Sequence, residues 1–349
     1  MTDTSSTRAI ATRRTTGAAP NDTARAARRA PWGPALAFLA RRIGGLLGTM
    51  LLASFVVFGA LYLAPGSPLS FLTQGRSVTP EAIAQLEAQY HLDQPFIVQY
   101  FIWLGGVLRG DFGASIIFGD PVTSLLAQRV GNTALLLAAA AVLVLVIGLA
   151  VGFFAGLKPG VLSESVMALA TAAMAVPGFV AAVVLMLVFA VQLGWMPSYG
   201  MGEPGIGTLQ HLALPSIALA ITSIAFVARL TQNAVRAEMK SEHVQTAVSR
   251  GLPSRFIVRR HIIRNAAMPV LTAAGLTVAG LIAGSVIIEQ IFQLGGLGQF
   301  LIDSVQKKDF PVVQAICLIY VATFIVLNTL IDIAYTLLDP RVSLGKKTS

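Results

Sequence analysis

The chain has 349 residues, of which 55% are hydrophobic and only 12% charged, with a formal net charge of +9 and one cysteine. Soluble domains average about 25% charged residues, so the composition excludes an ordinary soluble protein and points to a polytopic membrane protein. The basic residues cluster beside apolar runs and read as topology determinants rather than a nucleic-acid surface, while Cys317, inside an apolar run, excludes a disulfide framework or a cysteine metal cluster.

Residues 1–40 are rich in Arg, Thr, Ala and Ser and bury too little apolar surface to fold. No small-residue cleavage site follows a short apolar core, so a disordered cytoplasmic tail is expected rather than a transit peptide. Six uncharged runs follow, at 43–63, 132–156, 166–193, 212–228, 266–288 and 311–331, each suited to about 30 Å of hydrocarbon. Pro177 and Pro269 fall within or at the edge of spans, where neighbouring helices can satisfy the freed carbonyls.

The organisation is therefore a tail (1–40), a first membrane helix (41–63), an external cap (64–131), a core of five membrane helices (132–336) that includes a charged loop at 229–265, and a cytoplasmic C-terminal tail (337–349). In the cap, an amphipathic helix is expected over 80–90. An aromatic stretch at 96–104 should rest at the interface through Tyr100, Phe101 and Trp103, and a turn-rich GDFGAS segment covers 110–115. A second outer loop, 194–208, carries Trp195 and Tyr199. A third begins after Glu289 and shows a short helical pattern in Phe300, Leu301 and Val305.

Orientation follows from Lys and Arg. With a cytoplasmic N-terminus, that side holds twenty: eight from Arg8 to Arg42, Lys158, eight from Arg229 to Arg264, and three after Asp339. The far side holds five: Arg76, Arg109, Arg129, Lys307 and Lys308. The asymmetry places both termini and the charged loop in the cytoplasm.

Within that loop, Ser241 suits an N-cap and residues 242–250 contain no helix breaker. Gly251 followed by Leu252 and Pro253 reads as a glycine stop, giving a helix of about nine residues, roughly 14 Å long. Ser254 can cap a second helix carrying Phe256, Ile257, Arg260, Ile263 and Arg264 into the bilayer. Elsewhere, Glu289 ends the fifth span, where an acidic group either faces a pathway or sits in the interface. Asp309 beside Pro311 reads as a cap of the sixth helix, and Asp332 as a structural partner near its inner end. His211, His243 and His261 are too scattered to form a metal site with Cys317.

These features resemble the permease subunits of binding-protein-dependent ABC importers. Their cytoplasmic loop places a small residue four positions before a glycine, here Ala247 and Gly251. The similarity is closest to the B-type permeases of dipeptide and oligopeptide importers. It rests on LAPGSP at 63–68, LRGDFGASI at 108–116, TAVSRGLPSRFIVRRHIIRNAAMPV at 246–270, EQIFQLGGLGQFLIDSVQKKDFPVVQ at 289–314 and LLDPR at 337–341. Gln245 and Thr246 depart from the acidic and alanine positions of the motif, as peptide-type permeases commonly do.

The resemblance implies an all-α type I (MetI-like) permease fold with six membrane helices, located in a bacterial plasma membrane. It implies a second homologous permease, two ATPase subunits or domains that bind ATP and Mg, and an extracytoplasmic solute-binding protein. It assigns ATPase docking to Glu242, Val244, Ala247, Val248, Arg250, Gly251 and Leu252, with Ala247 turned toward the partner. Candidate binding-protein contacts are Phe101, Trp103 and Asp111, and Glu289 is the candidate pathway or gate residue. Metal chelates, glutathione or haem are alternative solutes. No G-x-x-x-x-G-K-[ST] occurs, so this chain is not itself the ATPase and holds no cofactor. A secondary transporter is the runner-up, weakened because only Glu289 and Asp332 approach membrane depth as ionisable groups. An intramembrane hydrolase would need a Ser and His pair within the spans, which the sequence does not supply.

Overall fold

The computed structural model describes residues 33–63, 79–89 and 92–338. The tail before residue 33, LAPGSP after Leu63, Arg76, Tyr90, the side chain of Asp332 and LLDPR after Leu338 lie outside the described residues. The chain divides into two units, 1–43 and 44–349; the first contributes the opening turns of α1, and the packing below is that of the second. In order, the helices are α1 (Gly33–Leu63), α2 (Pro80–Gln89), α3 (Phe96–Leu108), α4 (Val122–Leu157), α5 (Val161–Met174), α6 (Gly178–Gln192), α7 (Ile206–Met239), α8 (Glu242–Ser249), α9 (Ser254–Phe292), α10 (Leu297–Gln306) and α11 (Phe310–Leu338).

Five of these helices are long and apolar enough to cross a membrane, and the bent pair of α5 and α6 meets the same test when the two are taken together. The sequence reading took 166–193 as one continuous run. The chain instead bends by 101° between Met174 and Gly178. Pro177 has no N–H to donate and disfavours a helical conformation at Val176, so α5 closes at Ala175 and Pro177 turns extended, with ψ of 138°. Thr222 on α7 donates to the freed Val176 carbonyl at 3.4 Å.

Other spans exceed their apolar runs, α4 and α7 among them. The α4 helix starts ten residues before Asn132, because Arg129 is accommodated: its guanidinium donates to the Leu125 carbonyl at 2.7 Å and lies 4.0 Å over the Phe300 ring. The α7 helix, expected over 212–228, continues through Arg229 to Met239, so its C-terminal end extends beyond the apolar run. Arg236 on that extension pairs with Glu164 in the first turn of α5 at 2.7 Å.

At the centre stands α7, packed against α4, α5, α6, α8 and α9. Of its apolar window, 56% is buried, against 11–33% for the other candidate spans, so it is the one the rest enclose. Its approach to α4 depends on Gly148, Gly152 and Gly156, one helical turn apart on a single face. A Cβ at Gly152 would collide with the Ala228 carbonyl and come within 2.6 Å of the Thr231 Cβ. At Gly156 it would stand 2.7 Å from the Val235 Cβ. Small residues at this spacing let two backbones meet, and dispersion contacts then hold them where lipid offers no hydrophobic driving force.

The cap is not wholly external. Phe96, Tyr100 and Trp103 of α3 pack on Phe55, Phe58 and Tyr62 of α1, with ring centroids 4.9–5.7 Å apart. Ser54 and Tyr100 share a hydrogen bond of 2.8 Å. Phe96 meets the late turns of α1 and Tyr100 the earlier ones, so α3 runs back alongside that span and presents Ile97, Val98, Phe101 and Ile102 outward.

The stripe yields a test. Gly152→Val should lower the melting temperature of the full chain in detergent, at a cost of about 1–3 kcal/mol from overpacking. In the same helix nothing lies within 4 Å of a Cβ at Gly131, so Gly131→Ala should hold or raise it. Equal losses at both positions would contradict the close approach.

Candidate functional site

The charged loop forms a docked helical unit. Ser241 begins α8 with extended dihedrals of −68° and 148°, but its hydroxyl donates to the Glu238 carbonyl at 2.6 Å instead of capping α8. The helix ends at Ser249. Gly251 has φ of 72°, Gly251 N–H donates to Val248 at 2.9 Å and Leu252 N–H to Ala247 at 3.2 Å. This pair of bonds is a Schellman close, which needs the left-handed conformation that glycine adopts without strain. Pro253, rather than Ser254, holds the N-cap position of α9.

Where each residue of α8 points is set by what lies under it. Val244 and Ala247, three positions apart, are each 4% exposed and pack with Val235 of α7 and Ile257, Ile262 and Ala266 of α9. The expectation that Ala247 meets a partner is therefore corrected: the α7 extension supplies a surface that this small side chain lets α8 approach. The face left open carries Val248, 60% exposed, and Leu252, with Glu242, Arg250 and Gly251 also exposed. Phe256, outside the expected set, continues it.

A polar clasp reinforces the packing at the edge. Glu238 of α7 lies 2.6 Å from His243 of α8 and accepts from Asn265 of α9 at 2.8 Å. The His243 ring in turn lies 5.8 Å from that of His261. One carboxylate thus joins three helices. Sequence spacing gave no hint of it, because its members are 22 and 27 residues apart.

At the other end, Glu289 is fully buried and faces neither an open pathway nor the interface. Its Oε2 accepts the N–H groups of Gly298 at 2.7 Å and Gln299 at 3.2 Å, so the carboxylate caps the first turn of α10. Thr133 of α4 accepts the N–H of Leu297 at 2.8 Å, completing the anchorage. Gly296 is needed beside it, since a Cβ there would collide with Glu289 and Thr133. Asp309 also acts differently from expectation. Its carboxylate accepts the Ser115 hydroxyl and the Ile116 N–H, the latter at 3.1 Å, fastening the GDFGAS turn instead of capping α11 with its side chain.

The candidate binding-protein contacts separate. Trp103 is half-buried against Phe58, and Phe101 stands on the apolar outer face of α3. Only Asp111 lies on an exposed turn, accepting the Gly113 N–H at 2.9 Å. Cavities flank the bundle among the described residues. One, of about 140 Å³, is lined by Arg129, Gln299, Phe300, Asp303 and Lys307. Another, of about 340 Å³, is walled by Leu149, Phe153, Val235, Ile263 and Val270 and is almost wholly apolar.

Comparison with known proteins accounts for this arrangement. Residues 148–344 match the model of the binding-protein-dependent transport system inner membrane component, and residues 35–137 match the N-terminal part of such components. The oligopeptide transport system permease protein OppB of Salmonella typhimurium is 35% identical over 88% of this chain and 99% of its own length. A probable peptide ABC transporter permease of Sinorhizobium fredii is 31% identical over 87% of this chain and 98% of its own. Among solved structures, a chain of the inward-facing MetNI methionine ABC transporter aligns with a TM-score of 0.52 at 21% identity, covering 62% of this chain and 96% of that one. The fold is the type I importer fold.

The Glu289 cap can be tested without any partner. Glu289→Ala strips two buried N–H groups of their acceptor, each worth about 1–3 kcal/mol, and should lower the melting temperature and open 293–309 to proteolysis. Glu289→Gln, which retains an acceptor oxygen, should lose less. Wild-type stability and protease resistance in the alanine variant would show that the cap is dispensable.

Proposed function

The chain belongs to the family of inner membrane components of binding-protein-dependent transport systems, and from that premise we propose that it is one of two homologous permease subunits forming the pathway of an ATP-driven importer of di- and oligopeptides. It is a transport subunit, and ATP hydrolysis belongs to separate subunits. In this reading two ATPase subunits bind ATP and Mg, and an extracytoplasmic binding protein delivers the solute. Peptide as the solute rests on the relatives' names.

One observation carries the mechanism: α8 is seated by Val244 and Ala247 on both α7 and α9. Closure of the ATPases would push on the open face of Val248, Leu252 and Phe256, with Glu242, Arg250 and Gly251 at its margin. The buried pair would then pass that displacement into α7, the enclosed span, and so into the bundle. Val244 and Ala247 become transmitting residues rather than contacts. The external binding protein would meet Asp111 and the turn held by Asp309, while Phe101 and Trp103 serve α3 packing.

Val248→Glu with Leu252→Glu should abolish co-purification of the ATPase subunits and ATP-driven uptake in reconstituted vesicles, because two charges would enter a desolvated contact. Membrane insertion and melting temperature should stay unchanged, since both side chains are exposed. Retained association and coupled uptake would sink the docking assignment. Orientation has its own check. In a Cys317→Ser background, Ser254→Cys should react only with cytoplasmic reagent and Asp111→Cys, on an exposed turn, only with external reagent. Labelling of both from one side would refute the topology.

A further inference from the structure

We propose that the first turns of α9 hold an anionic phospholipid headgroup, through Arg260 and Arg264 with Arg259 beside them. The proposal goes beyond the transport reading and does not depend on which membrane face carries the loop. Four arginines, Arg255, Arg259, Arg260 and Arg264, are exposed, and none has an ion-pair or hydrogen-bond partner among the described residues. From Arg250 to Ile288 the sequence contains no Asp or Glu. The neighbouring acidic group of α7, Glu238, is already engaged by His243 and Asn265. Here a run of fixed positive charge stands without internal compensation, although Arg236 and Arg129 show that this chain does pair or stack its arginines elsewhere.

Depth selects the partner. The α9 helix is 39 residues long, about 58 Å, nearly twice the roughly 30 Å of hydrocarbon. Its uncharged stretch begins at Ala266, so the turns before it lie outside the apolar layer. Counting back at about 1.5 Å per residue, Arg264 lies roughly 3 Å from that boundary, Arg260 and Arg259 about 9–10 Å, and Arg255 about 16 Å. The headgroup zone is some 5–8 Å deep on each side, so the first three guanidinium groups fall within or at the edge of the phosphate level and Arg255 falls beyond it. Exposed Ile263, between Arg260 and Arg264, adds an apolar side chain at the same level, the mixture that suits an interface. A soluble ATPase would approach from further out, where the open face is Val248 and Leu252, mainly apolar. Guanidinium groups bind phosphate by paired hydrogen bonds as well as by charge, which makes phosphate the matching ligand group.

The test uses the full-length chain in neutral detergent, with its melting temperature followed as phosphatidylglycerol is added. The wild type should be stabilised, while phosphatidylcholine and soluble glycerol 3-phosphate should do nothing. Each basic residue near an anionic surface is worth about five-fold in affinity. Arg260→Gln with Arg264→Gln should therefore raise the half-maximal lipid concentration roughly twenty- to thirty-fold, and Arg255→Gln less than about two-fold. If the double variant folds poorly, Arg260→Lys with Arg264→Lys supplies the second comparison, because it keeps the charge and should retain most of the effect. An unchanged midpoint in the glutamine pair, an equal response to phosphatidylcholine, or an equal response to glycerol 3-phosphate would each overturn the proposal. So would loss of ATPase co-purification with an intact lipid response, which would assign these arginines to the protein partner.

Discussion

The close approach of α4 to α7 is the constraint on which the other packing depends. In a bilayer, apolar side chains gain little by leaving lipid for protein, so helices associate where backbones come near enough for dense dispersion contact. Gly148, Gly152 and Gly156 make that possible along three successive turns, against Val227, Ala228, Thr231 and Val235. Once α7 is held this way, α5, α6 and α9 can pack around it. The same α7 extends past the apolar layer, and Val235 at the end of the glycine seam is also a wall of the pocket that receives α8. A single residue therefore belongs to both the membrane seam and the seat of α8.

Polar groups complete what packing begins. At both ends of the bundle carboxylates tie separate segments together. On the α8 side Glu238 joins α7, α8 and α9; on the other, Glu289 of α9 holds the start of α10. Asp309 does the same for the GDFGAS turn, 194 residues away in sequence. A carboxylate suits such a role because it accepts several donors at once, and a charged acceptor strengthens each bond. These acids organise loops, which explains how a chain with so few acidic groups spends three of them at helix ends.

Much of this could be read from residues alone where the determinants are local. The bounds of α8 and the left-handed Gly251 follow from side-chain chemistry within a few positions, whereas the N-cap of α9 falls at Pro253 and not at Ser254. The apolar runs located the membrane helices, and the ordered motifs identified the family. What escaped depends on distant partners. Ala247 could not be seen to face inward without knowing that α7 continues through Arg229 to Met239 beyond its apolar run. Glu289 looked like a pathway residue because its acceptors' donors, Gly298 and Gln299, lie across a loop. The aromatic stretch of α3 resembled an interfacial surface, and only the matching aromatics of α1 reveal it as a packing face. Two misses did carry a signal: three glycines at four-residue spacing mark a helix contact, and Pro177 after Val176 marks a break.

The central claim is that α8, the inner end of α7 and the start of α9 move as one body. His243→Cys and Asn265→Cys in a Cys317→Ser background place thiols on α8 and α9 where the native side chains stand 3.1 Å apart. Joining them with a short bifunctional thiol reagent fixes the two helices to each other. In vesicles containing all subunits, linked protein should sustain ATP-driven uptake at the rate of the unlinked control. Loss of uptake on linking, reversed when the tether is cleaved and with ATPase association intact, would show that α8 must slide on α9 and would contradict the account.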